Sequence, residues 1–139
     1  MSLNKNNILF HHTAVITNDI DLSTHFFKDL GYKASKKFVD EPQISFVVLL
    51  NKTDSPMIEL IAPMSKDSPA HGWLKRIGCG AYHISYEIKD AKLDKAIDYF
   101  KTKKLTAVSE PTLSPAFGGL HVVFLWGKAA GLIELVGAP

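Results

Sequence analysis

The chain is poor in the features that mark several functional classes. It holds one cysteine, Cys79, so no intrachain disulfide can form. That usage sets a reducing, cytoplasmic setting as the expectation. Cys79 lies between Gly78 and Gly80 with no basic neighbour, the context of a turn rather than of an activated nucleophile. No apolar run approaches the length of a membrane span, and the first residues, Met1-Ser2-Leu3-Asn4-Lys5-Asn6-Asn7, are polar and unlike a signal peptide. A net charge of +2 is too small to argue for nucleic acid or an anionic membrane surface as partner. Low-complexity segments and a flexible interdomain linker are also missing. What remains is a 139-residue chain, 46% hydrophobic and 22% charged, of ordinary globular composition and long enough to bury a core.

The chain does hold a repeat. Ile58-Glu59-Leu60-Ile61 returns as Ile133-Glu134-Leu135-Val136, and each copy puts a carboxylate in the middle of an apolar strand. A glutamate there is costly unless it is paired, protonated or bound to a cation. Each copy also follows a strand carrying an inward-reading histidine, His12 for the first and His83 for the second. At the offset of 71 that aligns the histidines, Asp19 falls on Asp90, Leu22 on Leu93 and Phe26 on Ile97. The second Ile-Glu-Leu then follows at an offset of 75. Self-similarity of this kind guides the architecture.

The pattern predicts an α+β fold of two tandem βαβββ modules, spanning 8–63 and 80–137 and joined by a linker with a short helix over 64–79. In the first module a strand over 9–17 precedes a helix over 22–30, with Asp21 as N-cap and Gly31 as the C′ residue. Leu22, Phe26, Phe27 and Leu30 supply its apolar spacing. Strands follow over 32–39, 44–50 and 57–62. Ser68 and Pro69 open the linker helix, which stops at Gly78. The second module has strands over 81–88, 106–109, 120–126 and 131–136, and a helix over 91–103 capped by Asp90.

Side chains alternate across a strand, so His12 shares a face with Ala14 and Ile16, and His83 with Ser85 and Glu87. Glu59 shares a face with Met57 and Ile61, and Glu134 with Leu132 and Val136. If the first and last strands of each module are neighbours, two imidazoles and two carboxylates can meet at a common centre. That donor set suits a borderline divalent metal such as Co, Ni, Zn or Mn, with two positions left on an octahedral ion. Either pair alone fits an ordinary structural histidine and an ion-paired glutamate. The duplication is what points to a metal.

On these residues the chain resembles the vicinal-oxygen-chelate superfamily, which includes glyoxalase I, methylmalonyl-CoA epimerase, extradiol dioxygenases and bleomycin-resistance proteins. The resemblance covers about His11 to Val136. It implies an open, half-barrel mixed sheet with helices on the outer face and a divalent metal held by His12, Glu59, His83 and Glu134. Within the superfamily the chain is most similar to the epimerase branch. The supporting segments are Glu59-Leu60-Ile61-Ala62-Pro63 with Ser68-Pro69 and Gly72-Trp73-Leu74, and Gly131-Leu132-Ile133-Glu134-Leu135. It departs from that branch at Tyr82-His83, where epimerases have His-His, and at Pro115-Ala116-Phe117-Gly118-Gly119.

The implied activity is a metal-dependent isomerase or epimerase that removes a proton α to a carbonyl, on a methylmalonyl-CoA-like thioester. Alternatives within the fold are a glyoxalase I-like lactoylglutathione lyase and a non-enzymatic drug-binding or resistance protein. The resemblance points to Glu134 as ligand and base. It puts the second acid/base at Glu41, with Asp40 as the other choice because Pro42 disturbs the register. Lys75 and Arg76 could meet a CoA phosphate, although the dipole of the linker helix already explains two cations in its last turn. A homodimer is implied as well.

Overall fold

The structure, a computed structural model, describes residues 3–139. Its elements in chain order are β1 (Ile8–Ile16), α1 (Ile20–Asp29), β2 (Lys33–Ala34), β3 (Phe38–Asp40), β4 (Ser45–Asn51), β5 (Met57–Pro63), α2 (Pro69–Ile77), β6 (Gly80–Ile88), α3 (Leu93–Thr102), β7 (Thr106–Ala107), β8 (Thr112–Leu113), β9 (His121–Gly127) and β10 (Gly131–Gly137). The expected α+β class holds, with open, mixed strand pairing in both modules. No helix among the described residues is long and apolar enough to cross a membrane.

The described residues divide into two compact units, one of 12–82 and one that joins 3–11 to 83–139. In the first, the strand order is β2-β4-β5-β1, with β3 also on β4. In the second it is β6-β10-β9-β7, with β8 on β9. The two orders are the same plan. The last strand of each module runs parallel to the first and antiparallel to the one before it.

Each half-sheet has an apolar face covered by its own helix. Val48, Leu50, Leu60 and Ala62 pack with Ile20 and Phe27 of α1. Val123, Leu125, Ile133 and Leu135 pack with Leu93, Ala96, Ile97 and Phe100 of α3. Alternation then sends Glu59 and Glu134 to the face away from the helices. Leu22, Phe26 and Leu30, expected in the stripe of α1, are exposed instead, because the helix turns Ile20 and Phe27 toward the sheet.

The helix starts also differ from expectation. Asp19, not Asp21, caps α1: its carboxylate accepts the Leu22 N–H at 3.0 Å. The earlier start brings Ile20 into the core. Asp90 does not cap α3, which opens at Lys92 without a side-chain cap; the Leu93 N–H is taken by the Ala138 carbonyl at 2.9 Å.

The expected strand over 32–39 is two pieces, β2 and β3, and the second module repeats the break between β7 and β8. At each break a serine hydroxyl replaces a ladder carbonyl. Ser35 accepts the Leu49 N–H at 2.9 Å, and Ser109 accepts the Phe124 N–H at 2.9 Å. Both helices end in the same hydrogen-bond pattern. In α1, Gly31 donates to Lys28 O and Tyr32 to Phe27 O; in α3, Lys104 donates to Lys101 O and Leu105 to Phe100 O. Gly31 is at φ 97° as that turn requires, but the second copy holds Lys104 at φ 64°. A lysine pays about 1 kcal/mol or more for that left-handed conformation. Lys104→Gly is therefore expected to raise stability by about 0.5–1 kcal/mol in denaturant titrations, whereas Gly31→Ala lowers it by a similar amount.

Candidate functional site

In the first unit, β1 and β5 are parallel neighbours with His12 opposite Met57 and Ala14 opposite Glu59. The two-residue stagger puts the imidazole next to the carboxylate, and His12 Nε2 lies 3.3 Å from Glu59 Oε1. Both residues are buried. In the second unit β6 and β10 pair in the same register, with Ser85 opposite Glu134. His83 Nε2 lies 3.8 Å from Glu134 Oε1, again with both residues buried. Each expected histidine has thus been brought to its expected glutamate by equivalent strands.

The surroundings of the two glutamates differ. Burial, with a smaller contribution from the Asp40 charge, pushes the Glu59 carboxyl up to about 8. Glu134 accepts a hydrogen bond from the Ser85 hydroxyl at 3.0 Å. The residue facing Glu59 at the equivalent register is Ala14, which has no hydroxyl to give. His83 also meets the Phe124 ring edge-on, with centroids 5.2 Å apart.

The two carboxylates left open as a second acid/base are separated clearly. Glu41 is exposed in the turn after β3. Asp40 is buried at the end of β3, accepts the Gln43 N–H at 3.3 Å, and is held above the usual carboxylate range by desolvation. The turn closes at Ile44 with φ 50°, a strained conformation for a β-branched residue. Ser45, next along, and Ser68 at the start of α2 lie with their hydroxyls 3.0 Å apart, each also within hydrogen-bond distance of the Gln43 carbonyl. Parity along the strand could not separate Asp40 from Glu41, because turn geometry decides which of them is turned inward.

The other candidates are placed as follows. Lys75 and Arg76 are exposed in the last turn of α2, and Arg76 Nε donates to Gly72 O at 3.3 Å. His11 meets the Phe117 ring at 4.8 Å. His25 is exposed on α1. Ser85 escaped the sequence reading as a site residue. Its shared face with His83 was visible there, but its register against Glu134 was not.

Each unit sets one buried imidazole beside one buried carboxylate, His12 with Glu59 and His83 with Glu134, donor types of the kind that could hold a metal ion. Two imidazoles and two carboxylates match the preferences of borderline divalent cations.

The model of the Glyoxalase/Bleomycin resistance protein/Dioxygenase superfamily matches residues 11–124. The chain belongs to that superfamily. Among its curated relatives in the glyoxalase superfamily, human mitochondrial methylmalonyl-CoA epimerase is 28% identical over 128 residues, 90% of this chain and 71% of the human protein. The Bos taurus enzyme is 30% identical over 129 residues, with the same shares of each chain. Methylmalonyl-CoA epimerase from Mycobacterium tuberculosis superposes with a TM-score of 0.82 at 22% identity, over 99% of this chain and 93% of that one. A second methylmalonyl-CoA epimerase structure, in complex with methylmalonyl-CoA and NH4+, gives 0.79 at 24% identity, over 94% of each. At these identities the two structures show the shared superfamily fold.

A carboxyl raised in the folded state binds a proton there that the unfolded chain has already lost. In metal-free protein Glu59 therefore adds stability below its ordinary value of 4.5 that is lost as pH rises toward 8. Glu59→Gln is expected to flatten the stability profile between those limits, read by chemical denaturation at stepped pH. An unchanged slope in the variant would show that Glu59 is not the group responsible.

Proposed function

We propose that the protein is a metal-dependent epimerase or isomerase that moves a proton α to a carbonyl, with a methylmalonyl-CoA-like thioester as substrate. The observation that carries this reading is the twice-built, buried His–Glu pair in a chain of this superfamily. The epimerase names of its relatives support the substrate class.

In this reading His12, Glu59, His83 and Glu134 hold one divalent cation, of the Co, Ni, Zn or Mn group. When bound, it supplies Lewis-acid polarisation of the carbonyl beside the reacting carbon. Glu134 takes the α-proton, which a buried, hydrogen-bonded carboxylate is placed to do. A second group returns a proton to the opposite face, which inverts the centre. Of the two candidates, Asp40 has the burial and the raised proton affinity that a general acid needs, whereas Glu41 is in solvent. The same reading includes a homodimer in a cytoplasmic setting, with the dimer checked by light scattering on the eluting protein.

Metal-loaded protein incubated with methylmalonyl-CoA in D2O is expected to place deuterium at the α-carbon; absence of exchange rejects the epimerase reading. Turnover of a lactoylglutathione precursor in its place would assign the lyase alternative. His12→Ala is expected to lower metal content, measured on protein purified without added metal, by about tenfold or more. Full retention of metal would remove His12 from the ligand set. Asp40→Asn should slow inversion of the α-carbon by about 100-fold and Glu41→Gln by less than about twofold, as general acid catalysis by Asp40 on the opposite face requires. The reverse ranking would return the role to Glu41.

A further inference from the structure

The two halves are equivalent in register and not in chemistry. Glu59 and Glu134 each face a small residue across a parallel strand pair, Ala14 in one case and Ser85 in the other. Ser85 is fully buried, and its hydroxyl donates to Glu134 Oε1 at 3.0 Å. The same oxygen is the one nearer His83 Nε2, at 3.8 Å. Two groups of β6, two residues apart on one face, therefore address a single oxygen of Glu134.

A carboxylate on an unbranched side chain turns easily about its last bond, and its two oxygens are chemically alike until a neighbour distinguishes them. A hydroxyl donated to Oε1 makes the distinction. It ties Oε1 to β6 and sets the plane in which Oε2 is presented. The donor itself cannot swing away, because it sits on a short side chain in the middle of a strand. A base that abstracts a proton from carbon gains from such fixed orientation, since small errors in placement cost rate steeply.

We propose that Ser85 is a positioning residue for Glu134. Its hydroxyl ties Oε1 to β6 and so fixes the plane in which the carboxylate meets the substrate proton. The inference rests on the reading of Glu134 as the base.

The test uses Ser85→Ala and Ser85→Thr in the full chain, with wild-type protein alongside. Two quantities are read: deuterium exchange into methylmalonyl-CoA, resolved into kcat and KM, and affinity for Co2+ from its visible absorption on titration. Ser85→Ala is expected to lower kcat by about tenfold to thirtyfold, in the range seen when a group orienting a ligand is lost, with KM and Co2+ affinity within about twofold of wild type. Ser85→Thr keeps the hydroxyl and should recover most of that loss. A Ser85→Ala variant with kcat within twofold of wild type overturns the inference. So does a loss of Co2+ affinity as large as the loss of kcat, which would make Ser85 a support of the ligand set. Equal damage in Thr and Ala variants, both folded by their thermal melts, would likewise assign the effect to packing. Wild-type protein that binds Co2+ and exchanges no deuterium rejects the epimerase reading itself, and the role of Ser85 falls with it; an active wild type with an unaffected Ala variant rejects only the role of Ser85.

Discussion

Two buried carboxylates set the terms for the rest of the structure. Each lies on the helix-free face of a half-sheet whose other face is apolar and covered by a helix. An ionised carboxylate in such a place is costly unless a partner stands beside it. The parallel pairing of the first and last strands of each module provides one: a histidine offset by two residues lands next to the glutamate. Any slip of one residue in that pairing would turn the glutamate into the helix packing. Fold and site therefore depend on the same register.

The frame is built twice on one plan, and the two copies differ in detail. The serine that bridges each broken edge strand and the turn that ends each helix are retained in both. What changed lies at the ends and on the helix-free face. Gly31 has become Lys104 in a turn that favours glycine, and the capping aspartate of α1 has no counterpart at α3. Ala14 corresponds to Ser85, so one glutamate gained a hydroxyl partner while the other gained the neighbouring charge of Asp40. The structural repeats keep the frame, and the departures from repetition give the two carboxylates separate environments.

The strand plan of each module and the inward positions of two histidines and two glutamates were legible from the chain because they rest on local alternation and a visible repeat. His12, Glu59, His83 and Glu134 each read as inward residues from their own strand alone. The helix starts were not legible, since Asp19, Asp21 and Asp90 are all acceptable caps and the choice follows from which residue must reach the core. Leu22, Phe26 and Leu30 show the same limit: helical spacing identified an apolar stripe, and packing against the sheet kept Phe27 of that stripe and added Ile20.

By itself the sequence determined the α+β class and the placing of a histidine and a glutamate on inward strand faces in each half, because hydrophobic period and side-chain chemistry are properties of short segments. Only the tertiary structure decided that Ser85 and not Ala14 meets a glutamate with a hydroxyl, and that Asp40 and not Glu41 is turned inward. Those outcomes depend on the register between strands far apart in the chain and on the path of a strained turn at Ile44. No short segment carries that information, since it arises when backbone hydrogen bonds join residues about fifty positions apart.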